Sequence, residues 1–117
     1  MFASNNYLGL ATHPYVRKKV LEAIDEYGTG LGGPALLNGY TSLMKELEGR
    51  ISTLKNKEDT MIFSSGYNTN LGILQSLTGK NDLVLYDELS HASFYDGLKL
   101  SGVKTHSFRH NSTDHLE

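Results

Sequence analysis

The sequence of 117 residues contains no cysteine, which excludes a disulfide framework and a thiolate metal site. It has no run of basic residues longer than Arg17–Lys19 and a formal net charge of −2, so no nucleic-acid partner is expected. No stretch approaches the roughly 20 apolar residues of a membrane span, and no membrane association is expected. The first fifteen residues lack the layout of a signal peptide, which favours a cytoplasmic protein.

Metal binding finds little support in the five histidines of the sequence. The nearest approach to a ligand pair is His106 with His110, four positions apart. Without cysteines to complete a ligand set, this spacing alone does not indicate a metal site. We therefore expect no bound metal.

The first part of the chain, residues 1–55, is predicted to form two helices joined by a glycine-rich loop. Apolar residues recur every four positions between Pro14 and Gly28, which is typical of an amphipathic helix with a marked start and end. Residues 28–40, GTGLGGPALLNGY, contain too much glycine for a stable helix and are predicted to be a loop. A second helix is predicted to follow a capping Thr41. Its expected core face consists of Leu43, Leu47, Ile51 and Leu54.

The second part, residues 56–117, alternates short apolar runs with helical stretches. The apolar runs TMIF, DLVLYD and VKTHSF are typical of strands buried on both faces, and the stretches between them are long enough for helical crossovers. The pattern predicts a βαβαβ arrangement with a mostly parallel sheet. The final residues, NSTDHLE, resemble a capped helix start with Asn111 or Ser112 as the cap. We therefore expect a single folding unit that is truncated where this helix begins.

FSSGYN, residues 63–68, stands between a predicted strand and a predicted helix. The free N–H groups of a first helical turn and the helix macrodipole attract anions, and Gly66 lets a ligand approach the backbone. The alternative is that Ser64 or Ser65 only caps the helix and Gly66 relieves the turn. The segment is neither a Walker loop nor a GxGxxG motif.

Polar residues also gather in YDELSHASFYDG, residues 86–97, just past the next predicted strand. Ligands of open parallel sheets bind at this end of the strands. Asp87, Ser90, His91 and Ser93 lie close together there, and His91 could stack on a flat ligand or donate a hydrogen bond to it. Alternatively, Ser90 or His91 simply starts the next helix. NNYLGL, residues 5–10, indicates a turn more than a site.

Six segments follow one another along the chain in a recognisable order: SNNYLGLATHP, GTGLGGPALLNGY, LMKELE, IFSSGYNTN, YDELSHASFYDG and FRHNSTDHLE. Together they resemble the α-oxoamine synthases, which are pyridoxal-phosphate enzymes of the type I aminotransferase fold. The resemblance covers essentially the whole chain. It implies an α/β fold that is part of the large domain of this fold, with flanking helices and a partial cofactor-binding domain over residues 56–117.

The resemblance implies roles for individual residues. The backbone at Gly66 and Tyr67 would bind the phosphate of pyridoxal phosphate, and His91 matches the catalytic-site histidine that stacks on the pyridine ring. Asn5 matches an asparagine near the carboxylate of the amino-acid substrate. In this family the glycine-rich loop of one subunit helps to form the site of the other, which implies a homodimer. The loop residues concerned are Gly32, Gly33 and Asn38.

The chain also departs from the family pattern. Ala35 stands where members often carry an arginine, and Met44 stands where they often carry a histidine. The Schiff-base lysine of the family and two further cofactor contacts would follow the position of Glu117. We therefore expect an N-terminal portion of a longer enzyme that is inactive by itself. Lys80 and Lys104 are expected to be solvated surface residues.

The implied activity is the condensation of a small amino acid with an acyl-CoA or an acyl carrier thioester. The favoured version is the decarboxylative joining of alanine to a pimeloyl thioester, as in 8-amino-7-oxononanoate synthase of biotin biosynthesis. Glycine C-acetyltransferase and serine palmitoyltransferase, members of the same family along with 5-aminolevulinate synthase, are left open. A non-catalytic cofactor-binding remnant is the alternative from another functional class.

Overall fold

A computed structural model describes residues 3–117 of the chain. It divides into two compact units, Met1–Thr60 and Met61–Glu117. The division predicted from the sequence, between residues 55 and 56, stays a prediction. None of the helices in the described part is long and apolar enough to cross a membrane.

In the first unit, helix α1 spans Pro14–Tyr27 and follows a 3₁₀ turn at Leu10–Thr12. Pro14 occupies the first helical turn, where its missing N–H would have no partner in any case. Gly28 ends the helix at φ 78°, in a conformation that side chains with a Cβ avoid. The helix predicted between these two signals is confirmed.

Helix α2 spans Ser42–Lys55, and Thr41 caps it as predicted, because its Oγ1 accepts the Met44 N–H at 3.2 Å. The expected core face of this helix is wrong for the described unit. Leu54 is 79% exposed and only one member of the face is half-buried. No described helix or strand of this unit makes extensive contact with α2, so most of its apolar face stays exposed. The exposed members are Leu43, Leu47 and Leu54, and the half-buried one is Ile51.

The glycine-rich segment is not wholly a loop, contrary to the prediction. Ala35–Gly39 form one π-helical turn, and the Pro34 carbonyl accepts the N–H groups of the three residues that close it. Gly39 is buried, and a Cβ there would lie 1.9 Å from the carbonyl oxygen of Gly33. Two glycines in close backbone contact therefore permit a turn that composition alone argues against. The three donors are Leu37, Asn38 and Gly39.

The second unit is built around a parallel pair of strands joined through a helix. Strand β1 spans Leu83–Asp87 and strand β2 spans Lys104–Phe108, and they pair in register from Leu83↔Lys104 to Asp87↔Phe108. Helix α4, Ala92–Ser101, makes the crossover between them. Helix α3, Gly66–Leu77, precedes β1, and a short α5, Thr113–Leu116, ends the chain. The core consists of Leu74, Leu98 and Val103, with Val84, Tyr86 and Phe94 packed against it.

Two details of this unit differ from the prediction. The run TMIF, residues 60–63, is not a strand, because no segment within residues 3–117 supplies the backbone ladder that a strand requires. Ser112 stands at the N-cap of α5, but its side chain makes no capping hydrogen bond. The parallel pairing and the helical crossover are confirmed.

Candidate functional site

The start of α3 leaves two backbone donors available. Ser65 caps the helix, since its Oγ accepts the Asn68 N–H at 3.1 Å, and Ser64 Oγ accepts from the Asn68 amide at 2.7 Å. Among the described residues, nothing accepts the N–H groups of Gly66 and Tyr67. Capping by Ser65 therefore does not compete with an anion, because it uses only a different donor of the turn.

Gly66 and Tyr67 line a cavity of about 360 Å³ beside α3 and the start of α4. No carboxylate lines it, so an anion would meet backbone and side-chain donors without a repelling charge. The cavity brings together Gly66, Tyr67 and His91, the three residues that the sequence assigned to a cofactor. The full lining is Gly66, Tyr67, Thr69, Asn70, His91 and Ser93.

His91 is both the N-cap of α4 and part of the cavity wall. Its Nδ1 accepts the Ser93 N–H at 3.2 Å, so the helix-start alternative is realised in the structure. The Ser93 hydroxyl lies 2.7 Å from the same nitrogen, and the Asn70 amide donates to this hydroxyl at 2.8 Å. The imidazole is exposed, and capping thus fixes its Nδ1 edge without removing the ring from the reach of a ligand.

Tyr67 links the start of α3 to α4 through its side chain. Its phenol donates to Asp96 Oδ2 at 2.9 Å, and this hydrogen bond to a carboxylate raises the pKa of the Tyr67 phenol. Asp96 is not part of the cavity lining. The phenol therefore stays protonated at neutral pH and holds α3 beside α4, while the Tyr67 N–H remains available.

Asp87, grouped with His91 in the sequence, has a different neighbourhood at the ends of the two strands. Its carboxylate accepts the Leu89 N–H at 2.8 Å, the His110 ring at 3.0 Å and the Asn111 N–H at 3.2 Å. The bond from the Leu89 N–H, helped by those from His110 and Asn111, lowers the pKa of the Asp87 carboxyl. Asp87 therefore ties the end of β1 to the chain after β2 and does not line the cavity.

His110, which the spacing paired with His106, instead donates from Nδ1 to Asp87. Its Nε2 lies 3.1 Å from the side-chain amide of Asn111. Within the described part of the chain, no cluster of three or more histidine, aspartate or glutamate residues could hold a metal ion. The structure thus gives His110 a role in joining loop and strand.

Asn5 belongs to the first unit and is exposed. Its Oδ1 accepts a hydrogen bond of 3.5 Å from the Tyr7 phenol, and the neighbouring Asn6 accepts the N–H groups of Gly9 and Ala11. These bonds form the turn that the sequence indicated. A substrate-binding role for Asn5 stays a prediction, as do the roles of the loop residues Gly32, Gly33 and Asn38.

Asn70 is a site residue that the sequence interpretation missed. Gly66, Asn70 and Leu74 follow one another at four-residue spacing, so they lie on one face of α3. Leu74 of this row enters the core, which orients the row towards α4. The sequence signal that could have identified Asn70 is a polar residue placed between the start of a helix and a core leucine on the same helix face.

Comparison with known proteins agrees with this fold. Residues 1–117 match the family model for aminotransferase class I and II. An 8-amino-7-oxononanoate synthase from Methylobacterium nodulans is 46% identical over 116 residues, which cover 99% of this chain and 31% of that enzyme. A Sphingomonas wittichii serine palmitoyltransferase has 39% identity and a TM-score of 0.92 over 95% of this chain and 28% of its own.

A third protein, a substituted serine palmitoyltransferase from S. paucimobilis solved with bound PLP–myriocin, has 36% identity and a TM-score of 0.93. The match covers 97% of this chain and 28% of that one. The chain thus spans about 30% of the length of the proteins it matches. The predicted fold is confirmed by the two structures, and the two enzyme names are among those that the resemblance predicted. The chain belongs to the aminotransferase class I and II family.

Proposed function

We propose that the protein holds pyridoxal phosphate in the cavity at the start of α3 and uses it to condense a small amino acid with an acyl thioester. The observation that carries this proposal is the meeting of Gly66, Tyr67 and His91 at one cavity. Its volume of about 360 Å³ lies in the usual range of small-molecule sites. The bound PLP of the S. paucimobilis enzyme, whose fold this chain shares, supports the choice of cofactor.

The residues present fit such a cofactor. The N–H groups of Gly66 and Tyr67, at the positive end of the α3 macrodipole, would hold the phosphate. The imidazole of His91 would lie against the aromatic ring and orient it. When bound, pyridoxal phosphate supplies an electron sink for a carbanion at the amino acid's Cα. The contribution of these residues is binding and orientation.

For the reaction, we favour the decarboxylative condensation of alanine with a pimeloyl thioester, in the manner of 8-amino-7-oxononanoate synthase. The 46% identity to the Methylobacterium nodulans enzyme supports this choice. A serine palmitoyltransferase-like reaction is the second candidate, and the TM-score of 0.92 to the Sphingomonas wittichii enzyme supports it. Both reactions use an acyl thioester, carried by CoA or by an acyl carrier, and they differ in the amino acid.

The remaining parts of the proposal concern the first unit and the assembly. Asn5 would contact the carboxylate of the amino acid. The working form would be a cytoplasmic homodimer with no nucleic-acid or membrane partner. In that dimer the turn that follows Gly32 and Gly33 and contains Asn38 would contribute to the partner's site.

The cofactor proposal is tested by titrating the protein encoded by the complete reading frame with pyridoxal phosphate, followed by visible absorbance. We expect saturable binding. His91→Ala should weaken it roughly 2- to 13-fold, since an aromatic pair contributes about 0.5–1.5 kcal/mol beyond its area. His91→Phe should restore part of the loss. His106→Ala is the matched control, because His106 is an exposed histidine on β2 outside the cavity.

An unchanged affinity and spectrum in His91→Ala would remove the stacking role. The substrate is tested separately by release of the thiol from pimeloyl-CoA and palmitoyl-CoA, each with alanine, glycine or serine. Turnover with alanine and pimeloyl-CoA supports the first candidate, and turnover with serine and palmitoyl-CoA supports the second. Cofactor binding without release from any pair would favour a non-catalytic cofactor-binding protein.

A further inference from the structure

Ser93 stands between the proposed ring-stacking residue and α3. Its side chain is fully buried, at 0% exposure, with its Oγ 2.7 Å from His91 Nδ1 and 2.8 Å from Asn70 Nδ2. We propose that Ser93 and Asn70 are positioning residues that hold the His91 imidazole in one orientation and in its Nε2–H tautomer. This inference rests on the proposed function, in which that imidazole faces a cofactor.

The tautomer follows from the direction of each hydrogen bond. The Ser93 N–H can only donate, so the Nδ1 that it reaches must be an acceptor and carry no hydrogen. The Asn70 amide donates to the Ser93 oxygen, which leaves the single hydroxyl hydrogen free to point at the same Nδ1. The one hydrogen of the neutral ring is therefore on Nε2. Rotating the ring by half a turn would sacrifice both bonds.

The packing of α3 against α4 fixes the hydrogen-bonded group of His91, Ser93 and Asn70. Gly97 of α4 lies so close to α3 that a Cβ would be 2.7 Å from Leu74 Cδ1 and 3.2 Å from the Asn70 carbonyl oxygen. Within residues 3–117, no buried side-chain polar atom lacks a hydrogen-bond partner. Asn70 and Ser93 thus satisfy each other at the point where α3 and α4 approach closely. The consequence is that α3, through Asn70, sets the state of a ring carried by α4.

A double-substitution experiment separates a positioning role of Ser93 from a purely structural one. Ser93→Ala should weaken pyridoxal phosphate binding about 2- to 10-fold, in line with the loss of one hydrogen bond. If Ser93 acts through His91, the same change should have no further effect in a His91→Ala background. Asn70→Ala, alone and in that background, should behave in the same way. Ser101→Ala is the matched control, because Ser101 is a hydroxyl on the far turn of α4 that bonds only to the backbone.

A second measurement requires no cofactor. In histidine-labelled apo-protein, long-range ¹H–¹⁵N correlation spectra report which nitrogen of each ring is protonated. We expect His91 to give the Nε2–H pattern in the unsubstituted protein and in Ser101→Ala. In Ser93→Ala, where only the backbone N–H still holds Nδ1, a measurable share of the Nδ1–H form should appear.

The outcomes distinguish this inference from the proposed function. If His91→Ala leaves cofactor affinity unchanged, the stacking role fails, and the spectra still decide whether Ser93 sets the tautomer. If His91→Ala weakens binding but the losses from Ser93→Ala and Asn70→Ala persist undiminished in that background, the positioning role is overturned and the cofactor site stands. An Nδ1–H pattern in the unsubstituted protein would also overturn it.

Discussion

Gly97 offers the sharpest test of how the second unit is packed. It lies on α4 and is buried, and an added methyl would come within 2.7 Å of Leu74 Cδ1 and 3.3 Å of Leu74 Cβ. Leu74 is 5% exposed, so its side chain is enclosed in the core. We therefore expect Gly97→Ala to force α3 and α4 apart.

The expected change in the free energy of unfolding of Gly97→Ala combines two opposing effects. Overpacking a tight core contact costs about 1–3 kcal/mol. Replacing glycine by alanine inside a helix returns roughly 0.5–1 kcal/mol of backbone entropy and propensity. The free energy of unfolding should therefore fall by up to about 2.5 kcal/mol. Because the Asn70 carbonyl lies 3.2 Å from the new methyl, affinity for pyridoxal phosphate should fall as well.

Gly49→Ala is the matched control for this prediction. Gly49 lies inside α2, and a Cβ there would meet nothing within 4 Å. The free energy of unfolding should rise by about 0.4–1 kcal/mol. Urea denaturation of the apo-protein, followed by far-ultraviolet circular dichroism, gives both values. If Gly97→Ala raises stability as Gly49→Ala does, the close approach of α3 and α4 is not a constraint and the reasoning is refuted.

Two further predictions concern a helix cap and an acidic pH limit. Thr41→Ala should lower the free energy of unfolding by about 1 kcal/mol, because the helix loses its capping hydrogen bond. Thr53→Ala is the control and should change this free energy little, since it loses only a bond to the Gly49 carbonyl within α2. Equal losses of stability in chemical denaturation would contradict the capping role of Thr41. The lowered pKa of Asp87 means that its stabilisation is complete above the unfolded value of about 3.9 and is lost as pH falls through the folded value. Stability measured from pH 6 to pH 2 should therefore fall less steeply in Asp87→Asn, and identical pH profiles would count against the contribution of this carboxylate.

The helices were predictable because residues at their ends, such as a proline, a glycine or a capping threonine, determine where each helix begins and ends. Pro14 and Gly28 bound α1, and Thr41 starts α2, at the residues expected from their backbone and capping preferences. Such signals act over one turn and need no tertiary partner. The same is true of Ser65 at the start of α3.

What the sequence could not supply was the identity of packing partners. The leucine row of α2 has the period of a buried face, yet Leu43 and Leu47 remain close to half exposed in the described unit. The run at residues 60–63 has the composition of a strand but lacks a described neighbour to pair with. Period and composition state which surface is apolar, and only a partner decides whether it is covered.

The candidate site also contains residues that the sequence predicted and a residue that it did not. Gly66, Tyr67 and His91 were assigned from a family resemblance, and the structure places them at one cavity. Asn70 was missed because its role depends on the distance between two helices, which Gly97 sets across 27 positions of sequence. Asp87 was grouped with His91 by proximity along the chain, but its hydrogen-bond partners come from the segment after β2.

The parallel register of β1 and β2 has a consequence for the order of folding. Leu83 pairs with Lys104 and Asp87 with Phe108, so no pair of residues lies near a tight turn from which the ladder could zip. Every rung closes a loop of similar length that contains all of α4, and the entropy of that closure is spent before the first rung forms. A helix that forms early in this loop shortens the segment to be closed, so we expect α4 to form before the two strands pair.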